Sequence, residues 1–283
     1  MHKSVTHDFE LPGGKLTEDG LDKRLVVTEI LGSDQAAVAA QIKSSSPMTA
    51  IMTLLKRCVK RYGPYEKLTE NVIREMLLGD VDACLLYLYK VSYPDSPLEL
   101  EISCSGCGEK YSDEIPIKDV EFKKLDNSDF SHWQYIEEDE MWEVGKIEVV
   151  GGRLGFWIKD EKLGVEACFV YPTLGDTENI IKAARRNPLD AKHQLFAKCL
   201  KVLNGEEIKH QFNSGIIGHF PSRVLEFLDD VFALVPPGPD GPIITSCRHC
   251  GYENETPLVA SDFLSRLVAR QRTSKKRSSI RRR

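Results

Sequence analysis

Membrane spans, a secretory leader and the common catalytic signatures are all missing from this 283-residue chain. Its apolar runs fall well short of the ~18 residues that cross a bilayer as a helix, so membrane insertion is not expected. The polar stretch Met1–Phe9 lacks the apolar core of a secretory signal. No Gly-x-x-x-x-Gly-Lys-Ser/Thr phosphate loop occurs, nor a Gly-x-Gly-x-x-Gly after a strand, a His-Glu-x-x-His or a Gly-x-Ser-x-Gly elbow. The seven histidines, His2, His7, His132, His193, His210, His219 and His249, are scattered. Only His249 stands beside other ligand types, and a residue between two ligating thiols points outward, so it is not expected to ligate. The acids around Glu137–Asp139 are consecutive rather than spaced three or four apart, and read as a solvated charge run. Neither enzyme activity nor a small-molecule substrate is expected.

Eight cysteines without a secretory signal argue against a disulfide scaffold and for a reducing compartment. Cys58, Cys84, Cys168 and Cys199 lie in apolar helical or strand patterns and read as buried core thiols. The other four stand in two matched stretches. Leu100–Lys110 reads Leu-Glu-Ile-Ser-Cys-Ser-Gly-Cys-Gly-Glu-Lys, and Ile243–Glu253 reads Ile-Ile-Thr-Ser-Cys-Arg-His-Cys-Gly-Tyr-Glu. Each is a short β-type run followed by Cys-x-x-Cys-Gly, the knuckle of a zinc ribbon. Two intervening residues let both sulfurs face one ion, and the glycine turns the backbone where a side chain would clash. Together Cys104, Cys107, Cys247 and Cys250 supply four thiolates, a closed tetrahedral set for a structural zinc ion. Four ordinary thiols are the plain alternative. A redox pair fits poorly, because a thioredoxin-like pair opens a helix after a strand, whereas these precede polar turns and extended chain.

The surroundings of the knuckles repeat as well. Leu31-Gly-Ser-Asp-Gln-Ala-Ala-Val-Ala-Ala lies 73 residues before Cys104, and Leu174-Gly-Asp-Thr-Glu-Asn-Ile-Ile-Lys-Ala-Ala lies 73 before Cys247. Cys58 and Cys199 sit in similar helical runs, and Ile115–Phe122 resembles Thr256–Phe263. A period near 143 residues is too long for a solenoid and suits two copies of a domain.

With 41% hydrophobic and 29% charged residues the body reads as one or two globular domains. Charge is distributed unevenly. Arg266–Arg283 holds nine Lys/Arg and no acid, so of a net −5 overall the preceding residues carry −14. Such a tail is either a solvated, disordered terminus or a contact for a partner or another copy's body. Nucleic acid would be a sequence-blind phosphate contact, which the acidic body disfavours as the main role.

Along the chain, Phe9–Lys15 reads as an extended segment broken by a Pro-Gly turn, and Leu25–Ile30 as a strand. Ser33 or Asp34 caps a helix through Ile42, and Pro47 opens a second helix with a stripe of Ile51, Met52, Leu55, Cys58, Val59 and Tyr62. A third helical run covers Leu68–Leu78, ended by Gly79. Asp80 caps a fourth, Val81–Val91, and Leu98–Ser103 is a strand. Lys123–Trp142 is weakly patterned. Strands follow at Lys146–Val150, Leu154–Ile158 and Val165–Tyr171, with a hairpin turn at Gly151-Gly152. Helices are then expected over Thr173–Arg185, Pro188–Leu203 and Ser222–Leu234, a turn-rich link at Pro236–Pro242, and a strand Ile243–Thr245.

The order of these features over the first 125 residues resembles the small baseplate proteins of contractile-tailed, T-even-like phages and related contractile injection systems. Leu11-Pro12-Gly13-Gly14-Lys15 stands at that family's opening element, Gly79-Asp80 before its leucine-rich helix with Leu85-Leu86, and Cys104-Ser105-Gly106-Cys107-Gly108 at its knuckle. Two places depart from the pattern: Ser105 where proline is usual, and Leu16-Thr17 where an aromatic is. The resemblance implies a structural or assembly role in a virion tail baseplate or hub, contacts with other baseplate and hub subunits, and assembly in the bacterial host cytoplasm. It implies no active site.

The expectation is therefore an α+β protein of two related lobes, each helical with a short sheet and a knuckle. The lobes cover residues 1–125 and 146–265, with an acidic linker at 126–145 and a basic tail at 266–283. They would meet at one zinc, Cys104 and Cys107 facing Cys247 and Cys250. A zinc-ribbon adaptor that contacts nucleic acid through the basic tail is the alternative function, and a chaperone that leaves before the particle matures is a third.

Overall fold

The computed structural model describes residues 5–44, 47–126, 134–135, 142–161, 164–178, 180, 187–209 and 213–256. Strands β1 (Thr6–Thr17) and β2 (Gly20–Thr28) form an antiparallel hairpin. Helices α1 (Gly32–Ser44) and α2 (Pro47–Cys58) follow, the second opened by Pro47, whose missing N–H costs nothing in a first turn. Strand β3 (Val59–Tyr62) leaves α2 without a linker and pairs with β2, completing a sheet of order β1-β2-β3. After the short α3 (Glu70–Arg74) comes α4 (Leu78–Ser92), which packs on β1 and β2. Its Cys84, Leu85 and Leu88 join Leu54, Leu55 and Cys58 of α2 and Leu25 and Val27 of β2 in one buried cluster. Strands β4 (Leu98–Ser103) and β5 (Lys110–Ile115) make a separate two-stranded hairpin, and β6 (Phe122–Lys123) ends this half.

The second half holds β7 (Gln134–Tyr135), β8 (Trp142–Val150), β9 (Arg153–Asp160), β10 (Val165–Val170), α5 (Pro188–Cys199), β11 (Leu200–Leu203) and β12 (Glu206–Glu207). Its six strands are antiparallel in the order β12-β11-β10-β9-β8-β7. Gly151 and Gly152 link β8 to β9 with φ of 57° and 76°, the paired positive values of a type I′ hairpin turn. Helices α6 (Asn213–Ile217) and α7 (Ser222–Leu234) cover this sheet. Val224, Leu228 and Val231 line the buried face of α7, while Phe232 meets the rings of Phe156, Phe169 and Phe196 at centroid distances of 5.5, 5.5 and 4.8 Å. Strand β13 (Gly238–Pro239) returns to pair with β6, and β14 (Ile243–Ser246) and β15 (Glu253–Thr256) form a second isolated hairpin. Cys58, Cys84, Cys168 and Cys199 are all fully buried. Among the described residues no helix is long and apolar enough to cross a membrane.

Several local expectations change. The helix expected over Pro188–Leu203 stops at Cys199, and the stripe expected to run on through Tyr62 stops at Cys58. In both places the next four residues become a strand that extends a sheet. The run Leu68–Leu78 shrinks to Glu70–Arg74, opened by Thr69, whose hydroxyl accepts the Val72 N–H at 3.3 Å. Thr173 opens a 3-10 turn, Leu174–Thr177, closed by a reciprocal bond pair with Asp176. The remainder of that expected helix, residues 181–186, lies outside the described residues, as do Trp133, the acids at 137–140 and the basic tail. The Pro-Gly break at Phe9–Lys15 is a bulge within continuous β1. Asp34 accepts the Leu31 N–H at 2.9 Å and pairs with Arg57 at 2.6 Å.

Asp80 differs most from expectation. It sits in the first turn of α4, fully buried, and serves β1 rather than its own helix. Its carboxylate accepts the N–H groups of Gly13 and Gly14 at 2.8 and 2.9 Å and the Tyr62 hydroxyl at 3.1 Å. The bulge turns those two amides away from β2, and Gly14 takes a φ of 84° to do so. Beside it, Gly79 faces the second half of the chain: a Cβ there would stand 1.6 Å from the Pro237 oxygen. The halves also join where Leu78 N–H donates to Pro172 O at 3.0 Å and Leu174 N–H to Met76 O at 2.9 Å. Across this seam each half lends a leucine, Leu174 to the first core and Leu77 to the second.

Candidate metal centre

Each knuckle is built by its backbone before any metal is considered. In the first, Gly108 N–H donates to Cys104 O at 2.8 Å and Cys104 N–H to Glu109 O at 2.9 Å. In the second, Gly251 N–H donates to Cys247 O at 2.8 Å and Cys247 N–H to Tyr252 O at 2.9 Å. Gly108 and Gly251 have φ of 77° and 75°, a conformation that side chains with a Cβ rarely adopt. The turns are thus superimposable in bonding, each at the tip of its own hairpin, β4–β5 or β14–β15.

The two tips face each other. Cys104 Sγ lies 3.6 Å from Cys250 Sγ, Cys107 Sγ lies 3.8 Å from Cys247 Sγ, and all four sulfurs fall within 4.8 Å of one another. Thiolates held ~2.3 Å from a tetrahedral zinc ion stand about 3.8 Å apart, so the arrangement fits a closed four-sulfur site. Cys104 and Cys247 are buried, while Cys107 and Cys250 are exposed. His249 is exposed and takes no part in the cluster.

Electrostatics favour a cation here. Burial pushes the Cys104 thiol up, but backbone N–H groups of Cys107 and Gly106 and the Asn254 amide outweigh it and hold the thiol at about 6. Cys107 is pushed up to about 12: the Glu109 N–H favours its thiolate, but burial and the neighbouring cysteines prevail. Cys250 is raised in the same way against the Tyr252 N–H. Sulfurs this close cannot all ionise alone; a divalent cation reverses that conflict.

Around the sulfurs the hairpins are locked by groups that the cysteine spacing does not announce. Gly106 lies flat against Tyr252, where a Cβ would approach the tyrosine's own Cβ and Cγ to 2.9 Å. Tyr111 and Thr245 share a hydroxyl hydrogen bond of 2.7 Å. Asn254 reaches across to Ser105, Cys104 and Tyr111. The only hint of the last contact is positional: Tyr111 follows Cys107 by four residues as Asn254 follows Cys250.

Residues 30–265 match the model of a protein family described as T4 bacteriophage base plate protein. No curated protein and no solved structure matches the chain.

Proposed function

The chain belongs to the T4 bacteriophage base plate protein family, and from that premise we propose that it is a non-enzymatic structural subunit or assembly factor of a contractile tail baseplate or hub, its halves stapled by one structural zinc. The observation that carries the zinc is the convergence of four sulfurs from opposite ends of the sequence into one cluster. Cys104, Cys107, Cys247 and Cys250 would be the ligands, and the ion would contribute folding free energy directly. Its partners would be other baseplate and hub subunits, met in the host cytoplasm where the particle assembles.

We read the halves as two lobes, residues 1–125 and 146–265, descended from one unit. Supporting this, each half runs hairpin, helix ending on a buried cysteine, sheet-extending strand, short helix, long helix, knuckle hairpin. The strand following each buried cysteine pairs with the second strand of its hairpin, β3 with β2 and β11 with β10.

The test has two parts. Washed tail particles are expected to retain the chain at fixed stoichiometry if it is a subunit; absence from particles whose assembly fails without it marks an assembly factor. Absence from particles that assemble normally without it would overturn the reading. Elemental analysis of the purified protein is expected to give one zinc per chain, lost on changing either Cys104 or Cys247 alone to serine. Zinc that survives either change would sink the shared site.

A further inference from the structure

Asn254 is the one buried side chain that crosses from the second hairpin into the first knuckle through several bonds at once. Its orientation is forced. The Ser105 N–H can only donate, and it points at Oδ1 at 2.8 Å. The amide nitrogen must therefore face the other way, where Cys104 Sγ lies at 3.6 Å, the Tyr111 hydroxyl at 3.0 Å and the Tyr252 carbonyl at 3.2 Å. Tyr111 is in turn held by Thr245, so the chain of bonds runs from hairpin to hairpin and back without involving a metal. Thr245 and Asn254 are both buried, and a buried polar group that loses its partner is costly, which makes the lock stiff.

Resting on the four-sulfur reading, we propose that Asn254 is the positioning residue of the centre. It holds the two half-sites in register before metal arrives, and aims an N–H donor at the Cys104 sulfur. The ion then enters a preassembled site, and the amide tempers the charge of one thiolate. Groups of this kind around a metal typically set affinity by 10- to 100-fold. No residue plays the matching part for Cys247, because the equivalent position is Tyr111, whose hydroxyl is directed to Thr245 and Asn254. The centre is therefore asymmetric, with Cys104 the sulfur most affected.

The variant that separates positioning from mere packing is Asn254→Asp. It keeps shape and the acceptor for Ser105, lets the Tyr111 hydroxyl donate instead of accept, and replaces the donor facing Cys104 with a negative oxygen. Thr245→Val, which breaks the same lock without facing a sulfur, is the control. Full-length chains are loaded with cobalt(II) for the sulfur-to-metal charge-transfer band and titrated with zinc against a chromophoric chelator. The expected result is a shifted band and a 10- to 100-fold weaker zinc affinity for Asn254→Asp, with an unshifted band for Thr245→Val. Wild-type band and affinity in Asn254→Asp would overturn the proposal alone. Equal band shifts in both variants would also overturn it, reducing Asn254 to general packing. Absence of any charge-transfer band in the wild-type chain would instead overturn the four-sulfur reading on which it rests.

Discussion

A carboxylate removed from water must have its charge met by donors, and Asp80 meets this demand with two glycine amides and a phenol. Changing Asp80 to Asn leaves at least one of these donors facing an NH2 group, and is expected to cost about 1–3 kcal/mol of stability in urea unfolding. The cost has a pH signature. Burial pushes the Asp80 carboxyl up to about 6, with the Gly13 and Gly14 amides and the Tyr62 hydroxyl pulling the other way. An unfolded aspartate ionises near ~3.9. The stabilisation is thus complete below about pH 4 and is lost as pH rises through about 6. The gap between the native chain and Asp80→Asn should be wider at pH 5 than at pH 7.5, by on the order of 1 kcal/mol; a gap that stays constant or widens with pH would contradict it. At this scale the sequence was only half legible. The Gly-Gly and Gly-Asp pairs stood out separately, but nothing in their local pattern tells that residues 67 positions apart bond to each other. Asn254 was silent for the same reason.

Among the elements, those closed by local chemistry were readable and those closed by distant pairing were not. Cys-x-x-Cys-Gly contains all the atoms of its own turn, so both knuckles and their entering strands were placed from spacing alone. The switch from helix to strand at Cys58 and Cys199 is decided elsewhere. Apolar residues continue through both junctions, and only the free edge of a neighbouring strand draws Val59 and Leu200 into a sheet. Helix α4 carries a related trap. A glycine in its first turn suggests that alanine would stabilise it by roughly 0.5–1 kcal/mol. Gly79→Ala should do the reverse, since the new methyl collides with backbone at Pro237 and Gly238. A loss of about 1–3 kcal/mol is expected, with proteolysis after Pro236 accelerated as β13 is pushed from β6; unchanged stability would show that this approach is looser than drawn.

For the molecule as a whole, the halves are joined at two separate places, a backbone seam around Leu77 and Leu174 and the four-sulfur centre. Chelation should therefore weaken the protein without pulling it apart. With free zinc at 1,000 times its Kd the ion adds about 4 kcal/mol, so its removal should lower Tm by roughly 10 °C while the far-ultraviolet dichroism of the native chain persists at room temperature. Complete unfolding on chelation would show that the seam holds nothing by itself. Acidification should release the same ion, because each thiolate that takes up a proton ceases to be a ligand.

The centre draws its halves from positions 143 residues apart, which gives it a place in the chronology of synthesis. A ribosome working at about 5–20 residues per second needs roughly 7–30 s to pass from the first knuckle to the second. Throughout that interval Cys104 and Cys107 form an open pair, able to hold an ion only weakly and to pass it on. A polypeptide broken off anywhere before Cys250 never completes the set. Ion retention therefore distinguishes finished chains from fragments, and an assembly that accepted only the closed form would reject the fragments without any separate inspection.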